Sequence, residues 1–308
     1  MIVVFGSINA DLIFPVVDLP RPGQTLLAQG MRAEPGGKGA NQAVAAALDG
    51  AFVAMAGAVG QDALAETALA GLRAAGVDLA RVTRQPMPVP TGCATICTDA
   101  AGRNQIVVAL GANAVASAAQ VEDALLGPDT LLVTQMEADA AETAALILRA
   151  HACGARTIHN LAPAAPLDPE ALRVLDLLVV NEDEAAWLAR HLGVGGEDAA
   201  ALHGALGVTV IRTLGGAGVE WAGAQGSGCL SGTPVAVLDT TAAGDCFVGV
   251  LAAALDRGET LPDALRRANI AAGLACTRRG SQGSLPDTAM IAAAITATEP
   301  GRTEETRP

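Results

Sequence analysis

The segment EPGGKGANQA, Glu34 to Ala43, carries the single lysine among nineteen lysines and arginines. Arginine ends in a wide planar fork, lysine in a compact charge on a thin stem. Lys38, between Gly37 and Gly39, therefore suits a space where glycine backbone closes around a small ligand; a chance survivor is the alternative. A second glycine-rich segment, DTTAAGDCFVGVLAAAL at 239–255, sets Ala242, Ala243 and Gly244 ahead of Asp245 and an apolar helical pattern. Small residues at a helix start expose N–H groups that cradle an anion, and the partial charge of the helix end adds to the pull. Asp245 is then either an ordinary N-cap or a general base beside a phosphate site. The second arrangement suits phosphoryl transfer, where positioning and charge stabilisation dominate and a carboxylate accepts the hydroxyl proton.

Two further segments carry the same ambiguity. In VVNEDEAAWLAR, 179–190, Asn181 follows an apolar run, and Glu182, Asp183 and Glu184 crowd the next helix's first turn. Acids there complement the helix dipole; carboxylates at a strand's C-terminal end also hold hydrated magnesium that bridges to phosphates. TLGGAGVEW, 213–221, is either a hairpin with Gly215, Gly216 and Gly218 at positive φ or backbone laid against a nucleotide. The common nucleotide fingerprints, GxxxxGK[ST] and GxGxxG with a spaced acid, are absent from the chain.

The elements that position these segments follow from hydrophobic periodicity. Unbroken apolar runs at 2–5, 52–60, 131–134, 156–160, 177–181 and 208–213 read as strands buried on both faces, hence a parallel sheet. Helical stretches at 40–48, 62–75, 139–153, 182–191 and 197–206 alternate with them, which predicts an α/β layered fold. Residues 10–35 and 91–110 break the rhythm: both are β-type, the second folding about a turn at Asp99–Asn104. They are expected to pair as a small separate sheet serving as a lid, with edge strands of the main sheet as the alternative. One domain is expected over 1–295, followed by a frayed polar tail at 296–308.

Composition bounds the rest. Hydrophobic residues make up 51% and aromatic residues 2%, with no tyrosine, so the core is built from Ala, Val, Leu and Ile. The net charge of −13 leaves no basic stripe for nucleic acid or for a membrane surface. The first residues read as a strand and not a leader, and no run approaches a membrane span. Six scattered cysteines without a CxxC pair read as buried small residues in a reducing, cytoplasmic setting; Cys93 and Cys97 fall on one strand face.

Taken together, GSINADL (6–12), PRPGQT (20–25), PGGKGANQAVAAA (35–47), NEDE (181–184), DTTAAGD (239–245) and TRRGSQGSLP (277–286) resemble the ribokinase-like (pfkB-type) carbohydrate kinases across about residues 1–290. The resemblance implies a three-layer α/β fold, a mostly parallel central sheet flanked by helices, with a small β-sheet lid. It also implies ATP-dependent phosphorylation of a sugar's primary hydroxyl, D-ribose first, with deoxyribose, fructose or a nucleoside as alternatives. A non-catalytic sugar or nucleotide sensor on the same scaffold is the reading from another class. Position by position, Asn9, Asp11, Gly37, Lys38, Asn41 and Glu137 match the sugar side, and Asp245 the base. Ala242, Ala243 and Gly244 match the anion hole. Asn181 and Glu184 match the motif organising magnesium and phosphate. Thr213, Gly215 and Gly218 match the nucleotide side, with Asn269 near the adenine. Asp239, Thr241, Ala275, Arg278, Gly280 and Ser284 match a loop for an activating potassium ion, and a homodimer through the lid sheets is implied. Three departures stand out: Gln24 replaces the usual glutamate, HNLAP at 159–163 replaces a more proline-rich run, and Cys246 follows the base. His159 is expected to be a strand-end residue.

Overall fold

The structure is a computed structural model that describes residues 1–99 and 103–298. The chain opens with β1 (Ile2–Phe5), β2 (Asn9–Pro15), β3 (Arg32–Gly36) and α1 (Lys38–Leu48). Then come β4 (Val53–Gly60), α2 (Ala63–Ala74), β5 (Asp78–Gln85), β6 (Gly92–Thr98) and β7 (Asn104–Ala109). The middle holds β8 (Leu131–Thr134), α3 (Ala140–Ala152), β9 (Arg156–Asn160), α4 (Pro169–Arg173), β10 (Leu177–Asn181) and α5 (Glu182–Leu192). The last part holds α6 (Ala199–Leu206), β11 (Thr209–Thr213), β12 (Gly218–Gly223), β13 (Gly226–Ser231), α7 (Ala243–Asp256), α8 (Leu261–Ala275) and α9 (Thr288–Thr298).

Nine strands form one sheet in the order β13-β12-β11-β10-β9-β8-β1-β4-β5. From β5 to β11 every neighbouring pair is parallel, and β12 and β13 close the far edge as an antiparallel hairpin. The fully buried runs of β1, β4 and β8 are what a sheet covered on both faces requires. One apolar layer lies under α1, α2, α7 and α8, and a second under α3, α4, α5 and α6. On the first face Gly249 of α7 meets α1 so closely that a Cβ would overlap the Gln42 carbonyl and the Ala45 side chain. The strand order runs outward from β1 in both directions. This creates a switch point beside β8, where open α/β sheets place their ligand crevice at the strands' C-terminal ends.

The two segments that broke the rhythm form the separate sheet, ordered β3-β2-β6-β7. β2 pairs antiparallel with β3 and parallel with β6, so that Asn9 lies opposite both Gly36 and Gly92. Residues 100–102 of the expected Asp99–Asn104 turn lie outside the described residues. At the other end, helix α9 continues through Thr298, so the body runs past the boundary expected at 295. Residues 299–308 of the expected tail lie outside the described residues.

Candidate active site

At the C-terminal ends of the main-sheet strands lies a cavity of about 240 Å³. Strand register brings its walls together: Asn160 of β9 faces Val179, and Asn181 of β10 faces Thr213 of β11. Lys38, Asn181, Glu184, Thr213, Ala242, Gly244 and Asp245 all line it, joined by Asn160 and Thr240. Residues from five distant stretches thus share one concavity.

Asp245 is not the N-cap of α7. The cap is Ala242, with φ 58°, the one non-glycine residue of positive φ among the described residues. No side chain caps this helix start. The Ala243 N–H donates to the Thr240 carbonyl at 3.3 Å, while those of Gly244 and Asp245, unable to bond within the helix, belong to residues on the cavity wall. Asp245 sits one turn in, 7% exposed. Its Oδ2 accepts from Asn41 Nδ2 at 2.9 Å and its Oδ1 from Gln42 Nε2 at 3.1 Å. Cys246 beside it is fully buried, and that burial pushes its thiol far up, keeping it protonated.

The glycine loop ahead of α1 is tied down at both sides. Gly37 has φ 91°, and a Cβ there would overlap Ser7 and Asn9 backbone, so the loop admits only glycine. Lys38 N–H donates to Glu137 Oε2 at 3.1 Å, and the same oxygen accepts from Ser7 Oγ at 2.6 Å. Glu137 therefore holds the loop with one oxygen. The Lys38 side chain is the cation among Asp245, Glu137, Glu184 and Asp11. The Asp245 charge raises its ammonium pKa most, against the opposing cost of burial, so the charge is retained.

Asn9 and Asp11 enter from β2. Asn9 Oδ1 accepts from Asn113 Nδ2 at 2.7 Å, and Asn113 Oδ1 accepts from the Ile8 N–H at 2.9 Å, which fixes the Asn9 amide. Gly36 gives the Asp11 carboxylate its room, because a Cβ there would overlap it. Burial pushes the Asp11 carboxyl up to about 7; Ser281 opposes the shift with a hydrogen bond, and Glu137, Asp245 and Glu34 reinforce it. A raised carboxyl pKa costs stability as pH climbs through the folded value and costs nothing below the unfolded one. Asp11→Asn is accordingly expected to raise the thermal midpoint at pH 8, with the gain shrinking towards pH 4. Thermal melts at the two pH values check this; an equal gain at both would remove the burial penalty from the account.

Asn181 and Glu184 form a capping box at the start of α5: Glu184 N–H donates to Asn181 Oδ1, and Asn181 N–H to Glu184 Oε2, both at 2.8 Å. Burial raises the Glu184 carboxyl, opposed by the Asn181 hydrogen bond and by Lys38. Glu182 and Asp183 are exposed and only complement the dipole. Thr213 closes the far wall, its hydroxyl donating to the Val180 carbonyl at 3.4 Å. Gly215 and Gly218 do adopt positive φ, in a short turn that joins β11 to the antiparallel β12; Gly216 does not. These two glycines and Asn269 lie outside the cavity lining. Asn269 Nδ2 donates to the Ser231 carbonyl at 2.8 Å, tying α8 to β13.

Of the residues matched to a cation loop, Thr241 and Gly280 bond Asp239. Its Oδ1 accepts from the Thr241 N–H and hydroxyl at 2.9 and 2.6 Å, and its Oδ2 from Gly280 N–H at 3.0 Å. Burial pushes this carboxyl up, and the Thr241 and Gly280 hydrogen bonds outweigh it, holding the pKa below the ordinary value. The Ala275 carbonyl accepts from Arg278 N–H at 3.2 Å, and buried Ser284 donates to the Ser281 carbonyl at 2.9 Å. Among the described residues no group of three His, Cys, Asp or Glu side chains is placed to hold a metal. An oxygen-rich turn with one carboxylate suits a large, weakly hydrated cation better than a transition metal. His159 is the penultimate residue of β9, the strand-end position expected of it. It is fully buried in β9, its Nδ1 paired with Thr134 Oγ1 at 2.8 Å, and burial drives its pKa down to about 3, so the ring is neutral.

Sequence reasoning missed Gln42, which bonds Asp245, and Gln135, Asn160 and Gln282, which bond Gln42 or Asn41 behind it; they share no common motif. Gln42 stood inside the GANQA stretch beside Asn41, and its complete burial in the second turn of α1 marks a polar contact that the spacing alone did not.

Comparison with known proteins gives the family and agrees with the fold. The pfkB family carbohydrate kinase description matches residues 1–288. The chain is 36% identical over 294 residues to a ribokinase of Haemophilus influenzae, covering 92% of this chain and 94% of that one. The ribokinase structure of Thermotoga maritima superposes with a TM-score of 0.89 at 31% identity, covering 96% of this chain and 99% of that one. The Arabidopsis thaliana ribokinase complexed with ribose and ATP superposes with a TM-score of 0.85 at 29% identity, covering 96% and 98%.

Proposed function

The chain belongs to the pfkB family of carbohydrate kinases, and from that premise we propose that it transfers the γ-phosphoryl group of ATP to D-ribose, giving ribose 5-phosphate and ADP. One observation carries the reading. A carboxylate held on both oxygens, Asp245, stands in the first turn of a helix whose start no side chain caps, with Lys38 across the same cavity. The sugar's 5-hydroxyl gives its proton to Asp245 while its oxygen attacks the γ-phosphorus and ADP leaves. The N–H groups opening beside Ala242, Ala243 and Gly244 receive the migrating phosphoryl group. Asn9 and Asp11 bind ribose hydroxyls; a carboxylate accepts two of them in a fork.

Four carboxylates surround one ammonium here, Asp11, Glu137, Glu184 and Asp245 against Lys38. A polyphosphate enters such a field only with countercharge. Glu184, with one carboxylate oxygen outside its capping box, and Asn181 are the hard-oxygen residues that would hold hydrated magnesium, which neutralises charge on the transferring phosphoryl. The Asp239–Gly280 turn is proposed to hold potassium, whose charge would reinforce the neighbouring helix start.

The small sheet is proposed to close over the sugar as a lid. Its outer strand β7 exposes Ile106, Val107 and Val108 at 50, 68 and 43%. An apolar edge of this kind is covered in stable proteins, which supports dimerisation through the lid. No helix among the described residues is long and apolar enough to cross a membrane, and six free cysteines fit a cytoplasmic setting.

A coupled ADP assay over ribose, deoxyribose, fructose and a nucleoside, run in potassium and in sodium, tests the assignment. Ribose is expected to give the highest kcat/KM, and potassium the higher rate. Preference for another acceptor would redirect the substrate. Ligand-induced thermal stabilisation without ADP release would support a sensor instead.

A further inference from the structure

We propose that Asp245 is aimed by two one-way chains of buried amides, and that Gln135 and Gln282, at their far ends, are positioning residues of the phosphoryl transfer. The inference rests on the kinase reading of the Asp245 site. One chain runs from Gln135 Nε2 to Gln42 Oε1 at 2.6 Å, then from Gln42 Nε2 to Asp245 Oδ1 at 3.1 Å. The other runs from Gln282 Nε2 to Asn41 Oδ1 at 3.1 Å, then from Asn41 Nδ2 to Asp245 Oδ2 at 2.9 Å. The four amide residues are at most 8% exposed.

Their direction is dictated by chemistry. An ionised carboxylate only accepts hydrogen bonds, so Asn41 and Gln42 must present NH₂ to Asp245. Each then has only its carbonyl left for the next amide, so Gln135 and Gln282 must also present NH₂. The surplus acceptor is thereby pushed to the ends. Gln135 Oε1 and Gln282 Oε1 are buried without a hydrogen-bond partner among the described residues. Each lies against a glycine, Gly6 and Gly71, where a Cβ would overlap it. An unsatisfied buried acceptor destabilises a fold, and two at matching ends of two chains indicate a polar purpose elsewhere. Aligned amides polarise one another, which strengthens the N–H groups that meet the carboxylate. Hydrogen bonds to the charged form lower a carboxyl pKa. Gln42 is further fixed by Asn160, whose Oδ1 shares its Nε2 at 3.1 Å.

The charged groups facing Asp245 are Lys38 on α1, Asp11 on β2 and Glu184 on α5, with the Cys246 thiol next to it on α7. None of them donates a hydrogen bond to its carboxylate, so the amides alone set its orientation.

The test is kcat against pH at saturating ribose and ATP, which reports groups in the ternary complex. Gln135→Met removes the first donor at nearly equal volume. It is expected to move the acid limb up by about half a unit, so that turnover well below the midpoint falls about threefold relative to its own plateau. Gln282→Met should do the same independently, and the double variant should add the shifts. Each change removes one buried unsatisfied oxygen and leaves the next carbonyl, Gln42 Oε1 or Asn41 Oδ1, without its donor, so thermal midpoints should stay near the parent's, and the KM for ribose should stay within about twofold. A loss of packing alone would lower the midpoint and leave the limb in place. If the parent phosphorylates ribose and neither variant that folds moves the limb, the chains are overturned. If the parent releases no ADP with any acceptor, the kinase reading fails instead.

Discussion

Asp245→Asn is expected to lower turnover by about 10²–10⁴-fold, the usual cost of removing a positioned general base, while ribose still binds. The substitution keeps the size of the side chain and removes the proton acceptor. It also places an NH₂ group where Asn41 and Gln42 both present donors at 2.9 and 3.1 Å. One of those amides must turn, so the loss should not be recovered by raising pH, as it would be for a base that is merely protonated. Single-turnover measurements with ribose and ATP, paired with ribose binding by calorimetry, decide the matter. Turnover within tenfold of the parent would remove Asp245 from the proton transfer and leave it a structural partner of α1.

Lys38→Arg is expected to cost about 10²-fold in kcat with the fold intact, the order of loss seen when one preorganised charge-stabilising donor is removed. Lys38 is held charged chiefly by Asp245 and lines the cavity with it. It springs from a loop in which Gly37 and Gly39 lie against Ser7 and Gly6 backbone. A guanidinium is as positive as an ammonium, but planar and wider, and nothing in this loop can retreat to admit it. Parallel rate and thermal-melt measurements separate the outcomes. Near-parental turnover would mean that the only lysine of the chain sits there by chance.

The architecture was largely legible in the sequence, because buried parallel strands betray themselves as unbroken apolar runs. Each of the six runs from 2–5 to 208–213 became a strand of the main sheet within two residues of its expected bounds. The small sheet was legible as a break in the strand–helix rhythm, although which strand pairs with which was not. Motifs singled out Asp245, Lys38 and the uncapped start of α7, which share one cavity, because small residues and a charge at fixed spacing are a local signal. The environment of Asp245 was hidden. Asn41 and Gln42 lie 204 and 203 positions from Asp245, and Gln282 lies 241 positions from Asn41. Contacts of that span are made by packing α1 against α7, and no short pattern encodes them. The N-cap alternative for Asp245 failed for the same reason: the cap falls on Ala242, in a left-handed conformation that its side chain does not advertise.

The pairing of Asn9 with both Gly36 and Gly92 has a mechanical outcome. For the lid proposed above, the line of Asn9, Gly36 and Gly92, level with one another across three strands, would serve as the sill of a drawbridge. Swinging about that line leaves Asn9 in place while Pro15, six residues along β2, travels the furthest. At about 3.3 Å per residue, a tilt of about 10° displaces that tip by roughly 3–4 Å. Under the proposed roles, grip on the sugar at Asn9 and clearance for its entry at Pro15 would lie at opposite ends of β2.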